Sequence, residues 1–161
     1  MTMPASGTGA PGDAGLSGAF RIDREGAWRH EGVEVTHPGV LQNLYANLRV
    51  DAEGHHLQAG PLRVAVQVDD APFVVVRAEP GTDPDTIDLH LTDGSREPLD
   101  AGTLVLDRRG FPYCRVKGGR FRARLSVAAW LQLAGRIEPD PRSGLPTLVL
   151  GDRRTPLRPS D

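Results

Sequence analysis

The feature that most constrains this chain is how often turn residues interrupt short segments of alternating apolar and polar residues. Gly and Pro contribute 19 and 14 of the 161 residues, and they recur between segments of roughly strand length. Such a pattern is typical of antiparallel strands joined by tight turns. Apolar residues at helical spacing occur in two stretches. The sequence therefore predicts an α+β fold built of two similar small subdomains, each an antiparallel β-sheet with one packed α-helix.

The first predicted structure is a β-hairpin turning at Glu31-Gly32. A two-residue turn there places His30 opposite Val33 and Arg29 opposite Glu34. We expect Arg29 and Glu34 to pair on the side that faces solvent.

A short amphipathic helix and a meander of strands follow this hairpin. Thr36 is a good N-cap, and apolar residues recur at helical spacing until the predicted end near Arg49. The turns beyond it separate four predicted strands: Leu57–Ala59, Leu62–Val68, Phe73–Arg77 and Thr86–Leu91.

A second set of elements is predicted beyond residue 100. A hairpin has arms at Tyr113–Lys117 and Arg120–Leu125 around Gly118-Gly119, and Ser126 caps a helix. A Pro-rich turn then leads to a last strand at Thr147–Leu150.

The two sets begin alike. Asp23-Arg24-Glu25-Gly26 and Asp107-Arg108-Arg109-Gly110 each precede a hairpin, a Ser or Thr cap and a helix. This pattern predicts two copies of one module, in an N-terminal subdomain at residues 20–100 and a C-terminal subdomain at residues 101–158. Residues 1–19 consist almost entirely of Gly, Ala, Pro, Ser and Thr and are predicted to be a disordered leader.

Charge is distributed unevenly along the chain. Residues 1–100 carry 16 acidic and 7 basic residues, a net charge of −9, whereas residues 101–161 carry 5 acidic and 12 basic residues, a net charge of +7. The small total of −2 therefore hides a dipole. Such a dipole either holds the two halves together or steers a charged partner.

Several classes of protein are disfavoured by what the sequence lacks. The longest purely apolar run is Val74–Val76, and no secretory leader opens the chain, so we expect a soluble, cytoplasmic protein without membrane contact. The single cysteine, Cys114, makes neither an internal disulfide nor a cysteine-rich zinc site. Phosphate-loop, dinucleotide-binding, nucleophile-elbow and zinc-helix motifs do not occur. We expect no cofactor, no metal and, on balance, no enzymatic activity.

The strongest physical signal is a cluster of like charges on one side of the second hairpin. If Gly118 and Gly119 form a two-residue turn, one side carries Tyr113, Arg115, Lys117, Arg120, Arg122 and Arg124, which we call the basic face. The opposite side is apolar and consists of Cys114, Val116, Phe121, Ala123 and Leu125. Because like charges directly opposite each other are unfavourable, we expect an anionic group to occupy the basic face.

Three kinds of occupant remain open. The first is the acidic half of the chain itself, with Asp69 and Asp70 placed to position the hairpin. The second is an anionic small molecule, with phosphate or carboxylate, or an acidic protein partner. Nucleic acid ranks last, because one half of the chain is acidic and Tyr113 alone is well placed to stack on a base.

The remaining polar residues are weaker candidates for a functional site. Asp69-Asp70 reads as a turn, and the alternative is a base or metal ligand in a hydrolase acting on a phosphorylated metabolite. The neighbouring His55 and His56 point to opposite faces of a strand and do not form a metal site. Cys114 is expected to face inward as a small buried apolar residue.

Several segments resemble the bacterial family known as domain of unknown function 1285. They are Gly26-Ala27-Trp28, Val40–Leu48, the more specific Val68-Asp69-Asp70-Ala71-Pro72-Phe73-Val74, Tyr113–Val116 and Thr155-Pro156-Leu157. The resemblance covers residues 20–158. It implies a small α+β protein of two related subdomains with no assigned activity, whose expected role is ligand sensing or signalling.

The chain departs from that family at two positions. His37 stands where the family usually has an arginine before the first helix, and Gly60-Pro61-Leu62-Arg63 stands where the family has a Thr-Pro-x-Glu pattern. Taken together, the sequence predicts a non-enzymatic binding or regulatory module with Tyr113, Asp69, Asp70 and the basic residues of the hairpin as its ligand-binding residues. The exposed edge strands of small sheets would also allow a homodimer.

Overall fold

A computed structural model describes residues 20–160, so the predicted leader at residues 1–19 lies outside the described residues. Within that range the chain forms two α-helices and sixteen strands. The helices are α1 (Pro38–Asn47) and α2 (Val127–Ala134). The strands are β1 (Phe20–Ile22), β2 (Trp28–His30), β3 (Val33–Glu34), β4 (Leu48–Asp51), β5 (Gly54–Ala59), β6 (Leu62–Val68), β7 (Phe73–Pro80), β8 (Ile87–Leu91), β9 (Arg96–Pro98), β10 (Val105–Leu106), β11 (Pro112–Val116), β12 (Phe121–Leu125), β13 (Ile137–Pro139), β14 (Pro146–Leu150), β15 (Arg153–Pro156) and β16 (Arg158–Pro159).

The chain divides into two compact units, the first ending at Pro72 and the second beginning at Phe73. This boundary differs from the predicted one at residues 100 and 101. The reason is strand pairing that the sequence does not reveal, because β12 pairs in parallel with β7. Strands β8 and β9 continue from β7, so residues 73–98 complete the sheet of the second unit.

The first unit contains one sheet with the strand order β3-β2-β1-β6-β5-β4. Strands β1 and β6 are parallel, and the neighbouring pairs are antiparallel. Trp28 is fully buried, and its ring meets that of Tyr45 on α1 at 5.4 Å in an edge-to-face arrangement. Apolar side chains of β5 and β6 complete this core.

The predicted register of the first hairpin is confirmed, with Arg29 opposite Glu34 and His30 opposite Val33. The predicted ion pair between Arg29 and Glu34 is wrong. Arg29 Nε instead donates to Asp23 Oδ2 at 3.0 Å, because the turn before β2 brings that carboxylate beside it.

Helix α1 begins one residue later than predicted. His37 is the N-cap, and its Nδ1 accepts a hydrogen bond from the backbone N–H of Gly39 at 3.0 Å. Pro38 follows at the first helical position, where its missing N–H has no intrahelical partner to lose. The helix ends at Asn47, since Leu48 is already extended and begins β4.

The second unit contains a sheet with the order β16-β10-β11-β12-β7-β8-β9. The predicted inner side of its hairpin is confirmed, since Cys114, Val116, Phe121, Ala123 and Leu125 are all buried. Helix α2 packs on β7 and β12, and the side chain of Ser126 caps it as predicted by accepting from the N–H of Ala129.

A separate three-stranded sheet, β13-β14-β15, lies in the second unit. Of these strands the sequence predicts only β14. Strands β13, β15 and β16 are short and rich in Arg and Pro, which gives them little of the alternation that marks a strand. The chain is thus mostly β-sheet with two helices in residues 20–160, an α+β fold with several sheets.

Candidate functional site

The hairpin β11–β12 has the register that the sequence predicts. Tyr113 lies opposite Arg124, and Arg115 lies opposite Arg122. Side chains of directly opposed residues share one face of a sheet, so these four project to the same side. Four residues of the predicted basic face therefore lie on one side of the hairpin, as predicted.

Tyr113 determines where the Arg122 side chain lies. The tyrosine ring is buried although it belongs to the outer face, and the guanidinium carbon of Arg122 lies 3.7 Å from the ring centroid. A guanidinium at this distance is held by cation–π attraction and by stacking of two flat groups. The stack limits the rotamers of Arg122 and leaves the N–H groups at the edge of its plane available to an acceptor.

A pocket of about 240 Å³ opens beside this stack. It is lined by Thr103, Val105, Tyr113, Cys114, Arg115, Arg122 and Ser160. Strand pairing accounts for the arrangement, because Val105 on β10 lies opposite Tyr113 and the N–H of Ser160 donates to the carbonyl of Leu106. The polar side chains of these lining residues are two guanidinium groups, three hydroxyls and one thiol, with no carboxylate among them.

Thr103 contributes a hydroxyl with a defined role. Its Oγ1 accepts a hydrogen bond from the backbone N–H of Arg115 at 3.0 Å. The same hydroxyl donates its proton to the backbone carbonyl of Asp100 at 2.8 Å, so its hydrogen bonds hold the pocket wall together. Thr103 closes a single 3-10 turn, Ala101–Thr103, whose preceding residue Asp100 accepts from the N–H of Gly102.

The two pocket arginines are not neutralised by other residues of the described chain. No ion pair to Arg115 or Arg122 forms among residues 20–160. The positive charge of Arg122 stabilises the carboxylate of Asp107, which also accepts backbone hydrogen bonds within a turn. Hydrogen bonds from the backbone N–H groups of Phe111 and Arg109, together with the charges of Arg109 and Arg122, hold the pKa of Asp107 below its ordinary value.

Two residues of the predicted basic face are held elsewhere by the hairpin loop. Lys117 adopts a φ of +56°, and β11 ends before it, so the connection is a four-residue loop rather than the predicted two-residue turn. Its ammonium group lies 2.7 Å from Asp93 and 2.8 Å from Ser95 Oγ. Arg120 closes the loop through a hydrogen bond from Nε to the carbonyl of Lys117 at 2.9 Å. Neither side chain lines the pocket, and Arg124 also lies outside its lining.

The pairing of Lys117 with Asp93 also affects the carboxyl group. Burial acts most strongly and would raise the pKa of Asp93, but hydrogen bonds from Lys117 and Ser95 together outweigh it. The pKa of Asp93 is therefore lowered, and the carboxylate is the stable form beside the ammonium.

The acidic pair of the predicted site lies in the first unit. Asp69 is bound by Arg21, whose Nε reaches both carboxylate oxygens at 2.9 and 3.0 Å, so it serves that unit's own sheet. The predicted positioning of the hairpin by Asp69 and Asp70 stays a prediction. Asp70 follows β6 in the turn that leads toward Phe73, and it is half-buried.

Cys114 is buried on the apolar side of the hairpin, as predicted. Burial, together with the negative charges of Glu97 and Asp100, raises the pKa of its thiol to about 12. A thiol with this pKa remains protonated at neutral pH and is a poor nucleophile.

Sequence reasoning missed three lining residues, Thr103, Val105 and Ser160. Thr103 ends the 3-10 turn before β10, Val105 lies on β10, and Ser160 follows β16, and the pairing of these two-residue strands is not visible in the amino-acid pattern. The Thr-x-Val alternation at Thr103 and Val105 is typical of a strand, but Thr103 ends a 3-10 turn and the pattern does not indicate which strand pairs with β10.

A second cavity of about 240 Å³ lies in the first unit between α1, β5 and β6. It is mostly apolar and is lined by Phe20, Asn43, Leu44, Asn47, Leu57, Ala59, Leu62 and Val64. His56, in the same unit, is buried and lies 3.2 Å from Arg63. Among residues 20–160, no group of three or more His, Cys, Asp or Glu side chains is placed to hold a metal ion.

No protein-family model matches the sequence, and no curated protein matches it significantly. Support for the fold comes from solved structures. No helix in the described part of the chain has the length and apolar character needed to cross a membrane.

Two solved structures resemble this chain over most of its length. A DUF1285 family protein from Silicibacter pomeroyi DSS-3 has a TM-score of 0.74 and 22% sequence identity, covering 88% of this chain and 80% of that chain. A DUF1285 family protein from Shewanella baltica OS155 has a TM-score of 0.64 and 19% identity, covering 73% of this chain and 91% of that chain. The chain therefore has the fold of DUF1285 family proteins, the family that its sequence motifs resemble.

Proposed function

We propose that this chain is a non-enzymatic binding module that takes a small oxyanion, a phosphate or a carboxylate, into the pocket beside Tyr113. One observation carries the proposal. Arg115 and Arg122 line a pocket without a carboxylate, and neither forms an ion pair among residues 20–160. Two neighbouring cations repel each other, and an anion bound between them relieves this repulsion.

The chemistry of the lining groups favours an oxyanion over other ligands. Guanidinium groups donate in pairs to the oxygens of carboxylate or phosphate. The hydroxyl of Thr103 positions Arg115 by accepting from its backbone N–H, while its own proton is donated to the carbonyl of Asp100. A metal ion would find no carboxylate or imidazole among the lining residues.

Support for a hydrolase that uses Asp69 as its base is weaker. A general base must be within reach of the proton that it removes. Both oxygens of Asp69 accept hydrogen bonds from Arg21, which favours a structural role for this carboxylate.

A regulatory role also draws on the internal similarity of the chain. Each unit contains an Asp-Arg-x-Gly turn, a hairpin and a capped helix followed by a three-stranded meander. We propose that the units are two copies of one module, of which the second has acquired the anion pocket.

The proposal is tested by measuring the thermal unfolding of the full chain in inorganic phosphate and in succinate. A ligand at 100 times its dissociation constant stabilises a protein by about 2.7 kcal/mol, which raises the unfolding midpoint measurably. We expect the midpoint to rise with either anion, and we expect Arg122→Gln to remove most of the rise. Arg153→Gln is the matched control, since it removes an exposed arginine of the same unit outside the pocket.

Two outcomes would contradict the proposal. One is an equal rise in the wild type, Arg122→Gln and Arg153→Gln, which would indicate a general effect of ions. The other is no rise in the wild type with either anion at millimolar concentration.

A further inference from the structure

An exposed aromatic side chain directly precedes β11, the strand that contributes Tyr113 and Arg115 to the pocket lining. The ring of Phe111 is 46% exposed, directly before β11. Residues 112, 114 and 116 are buried on the inner side, so the alternation of the strand places Phe111 on the outer side with Tyr113 and Arg115. The ring therefore lies along the same face as the pocket.

The turn before Phe111 fixes its backbone. Asp107 Oδ1 accepts hydrogen bonds from the N–H groups of Arg109 at 2.9 Å and Phe111 at 2.8 Å. Gly110 has a φ of +84°, a conformation that residues with a side chain rarely adopt. The N–H of Asp107 donates in return to the carbonyl of Phe111 at 2.9 Å. These bonds hold the ring at a defined place on the surface.

The corresponding turn of the first unit shows that the aromatic ring is not required for this geometry. There Asp23 Oδ1 accepts from the N–H groups of Glu25 at 3.0 Å and Ala27 at 2.9 Å, and Gly26 has a φ of +86°. Ala27 thus occupies the place of Phe111. An exposed phenyl ring that the fold does not need is available to contact a ligand.

The surroundings of the ring are positively charged. The guanidinium carbon of Arg109 lies 5.0 Å from the centroid of the Phe111 ring. Arg108, on the same turn, is exposed. A flat aromatic ring beside cations is a suitable surface for a base that belongs to an anionic ligand.

We propose that the ligand is a nucleoside monophosphate whose phosphate binds Arg115 and Arg122 and whose base stacks on Phe111. This inference rests on the proposed oxyanion site and names its ligand class. Alternate residues of a strand are about 7 Å apart. The Arg122 guanidinium stacks on Tyr113, two residues along the strand from Phe111, and this spacing suits a base and its phosphate joined by one ribose.

A free nucleotide fits this site better than a nucleic acid. The donor pocket is small, at about 240 Å³, and the whole chain carries a net charge of −2. A nucleic acid requires a continuous positive track along its backbone. One pocket beside one aromatic ring provides a place for a single phosphate and a single base.

The test compares adenosine 5′-monophosphate with ribose 5-phosphate, which carries the same phosphate and no base, by titration calorimetry on the full chain. Stacking of one base on an aromatic side chain is worth about tenfold in affinity. We expect the wild type to bind the nucleotide about tenfold more tightly than the sugar phosphate. Phe111→Leu keeps the apolar surface without the aromatic face and should remove that preference while leaving the binding of ribose 5-phosphate unchanged.

Two further variants make the result specific. Arg122→Gln should weaken the binding of both ligands about tenfold, because both use the phosphate contact. Leu131→Ala, which shortens another exposed apolar side chain of the second unit, should change neither.

The outcomes separate this inference from the proposed function. Equal affinity of the wild type for the two ligands, or a preference that survives Phe111→Leu, would overturn the stacking inference while the oxyanion pocket stands. Binding of both ligands that is unchanged in Arg122→Gln would overturn the pocket itself. Tighter binding of an oligonucleotide than of the mononucleotide, with a steep salt dependence, would also overturn the inference in favour of a nucleic acid.

Discussion

The two Asp-Arg-x-Gly turns have the same backbone geometry and different electrostatic consequences. In the first unit the carboxylate of Asp23 also binds Arg29, six residues later, at 3.0 Å. In the second unit the residue six positions after Asp107 is Tyr113, and the arginine stacked on its ring, Arg122, forms no ion pair among residues 20–160.

This comparison shows how one local structure can support two roles. The hydrogen bonds that make the turn depend on one carboxylate oxygen and one glycine, so the flanking positions are free to vary. In the first unit they neutralise the hairpin within the chain. In the second they leave guanidinium groups at a pocket, which is where an anionic ligand is expected.

The largest expected difference between the two hairpins is in the free energy of unfolding lost when Tyr113 or Arg29 is replaced by alanine. Tyr113→Ala removes a buried ring and should lower the free energy of unfolding by about 3–5 kcal/mol. Arg29→Ala removes a partly exposed ion pair and should cost under about 1 kcal/mol. Urea denaturation measures both values, and Tyr113→Phe, which keeps the ring, is the control. Similar losses for the two alanine variants would contradict the assignment of Tyr113 to the core.

The loops of the two hairpins provide a second, smaller difference. The second loop depends on Lys117 and Asp93, and Asp93→Asn should cost about 1–2 kcal/mol at neutral pH. Because the pKa of Asp93 is lower in the folded chain than its ordinary 3.8, this contribution is full above pH 4 and is lost as the pH falls through the folded pKa.

The effect of pH on the unfolding free energy shows whether the loss in Asp93→Asn comes from the ion pair with Lys117. The difference in unfolding free energy between the wild type and Asp93→Asn should shrink as the pH is lowered below 4, and Asp152→Asn, on the exposed turn between β14 and β15, should show no such change. A difference that is the same at every pH would show that the ion pair with Lys117 is not its source.

The smallest expected effects test the likeness of the two turns. Asp23→Ala and Asp107→Ala should each lower the unfolding midpoint, because each removes the acceptor of two backbone N–H groups. The Asn variants retain that acceptor and should restore most of the loss. Restoration should be less complete at Asp23, where the ion pair with Arg29 is also lost. A midpoint that is unchanged in one of the two alanine variants would show that the turns are not equivalent.

The sequence predicts the elements of this fold better than their arrangement. The register of both hairpins, the cap at Ser126 and the buried inner side of β11 and β12 follow from alternation and turn chemistry, which act over a few residues. The parallel pairing of β12 with β7 joins segments about fifty residues apart, and no local pattern encodes it. This pairing moved the boundary between the units.

The residues of the candidate site also fall into those that a local pattern predicts and those that it does not. Tyr113, Arg115 and Arg122 were predicted because their register depends on one hairpin. Lys117 and Arg120 were misplaced because the loop is longer than two residues, and the left-handed conformation at Lys117 turns that side chain toward Asp93. Thr103 reaches the pocket through a 3-10 turn and a hydrogen bond from Arg115, and Ser160 reaches it through the pairing of β16 with β10.

Oxyanion binding by Arg115 and Arg122 is tested most directly by NMR, which follows the arginine side-chain N–H resonances during a titration with inorganic phosphate. Bound phosphate changes the chemical shift of the guanidinium groups that donate to it. We expect the resonances of Arg115 and Arg122 to shift together and saturate with one dissociation constant, while those of Arg29, already paired with Asp23, stay unchanged. Resonances of Arg115 and Arg122 that do not move, or that move no more than those of Arg29, would contradict it.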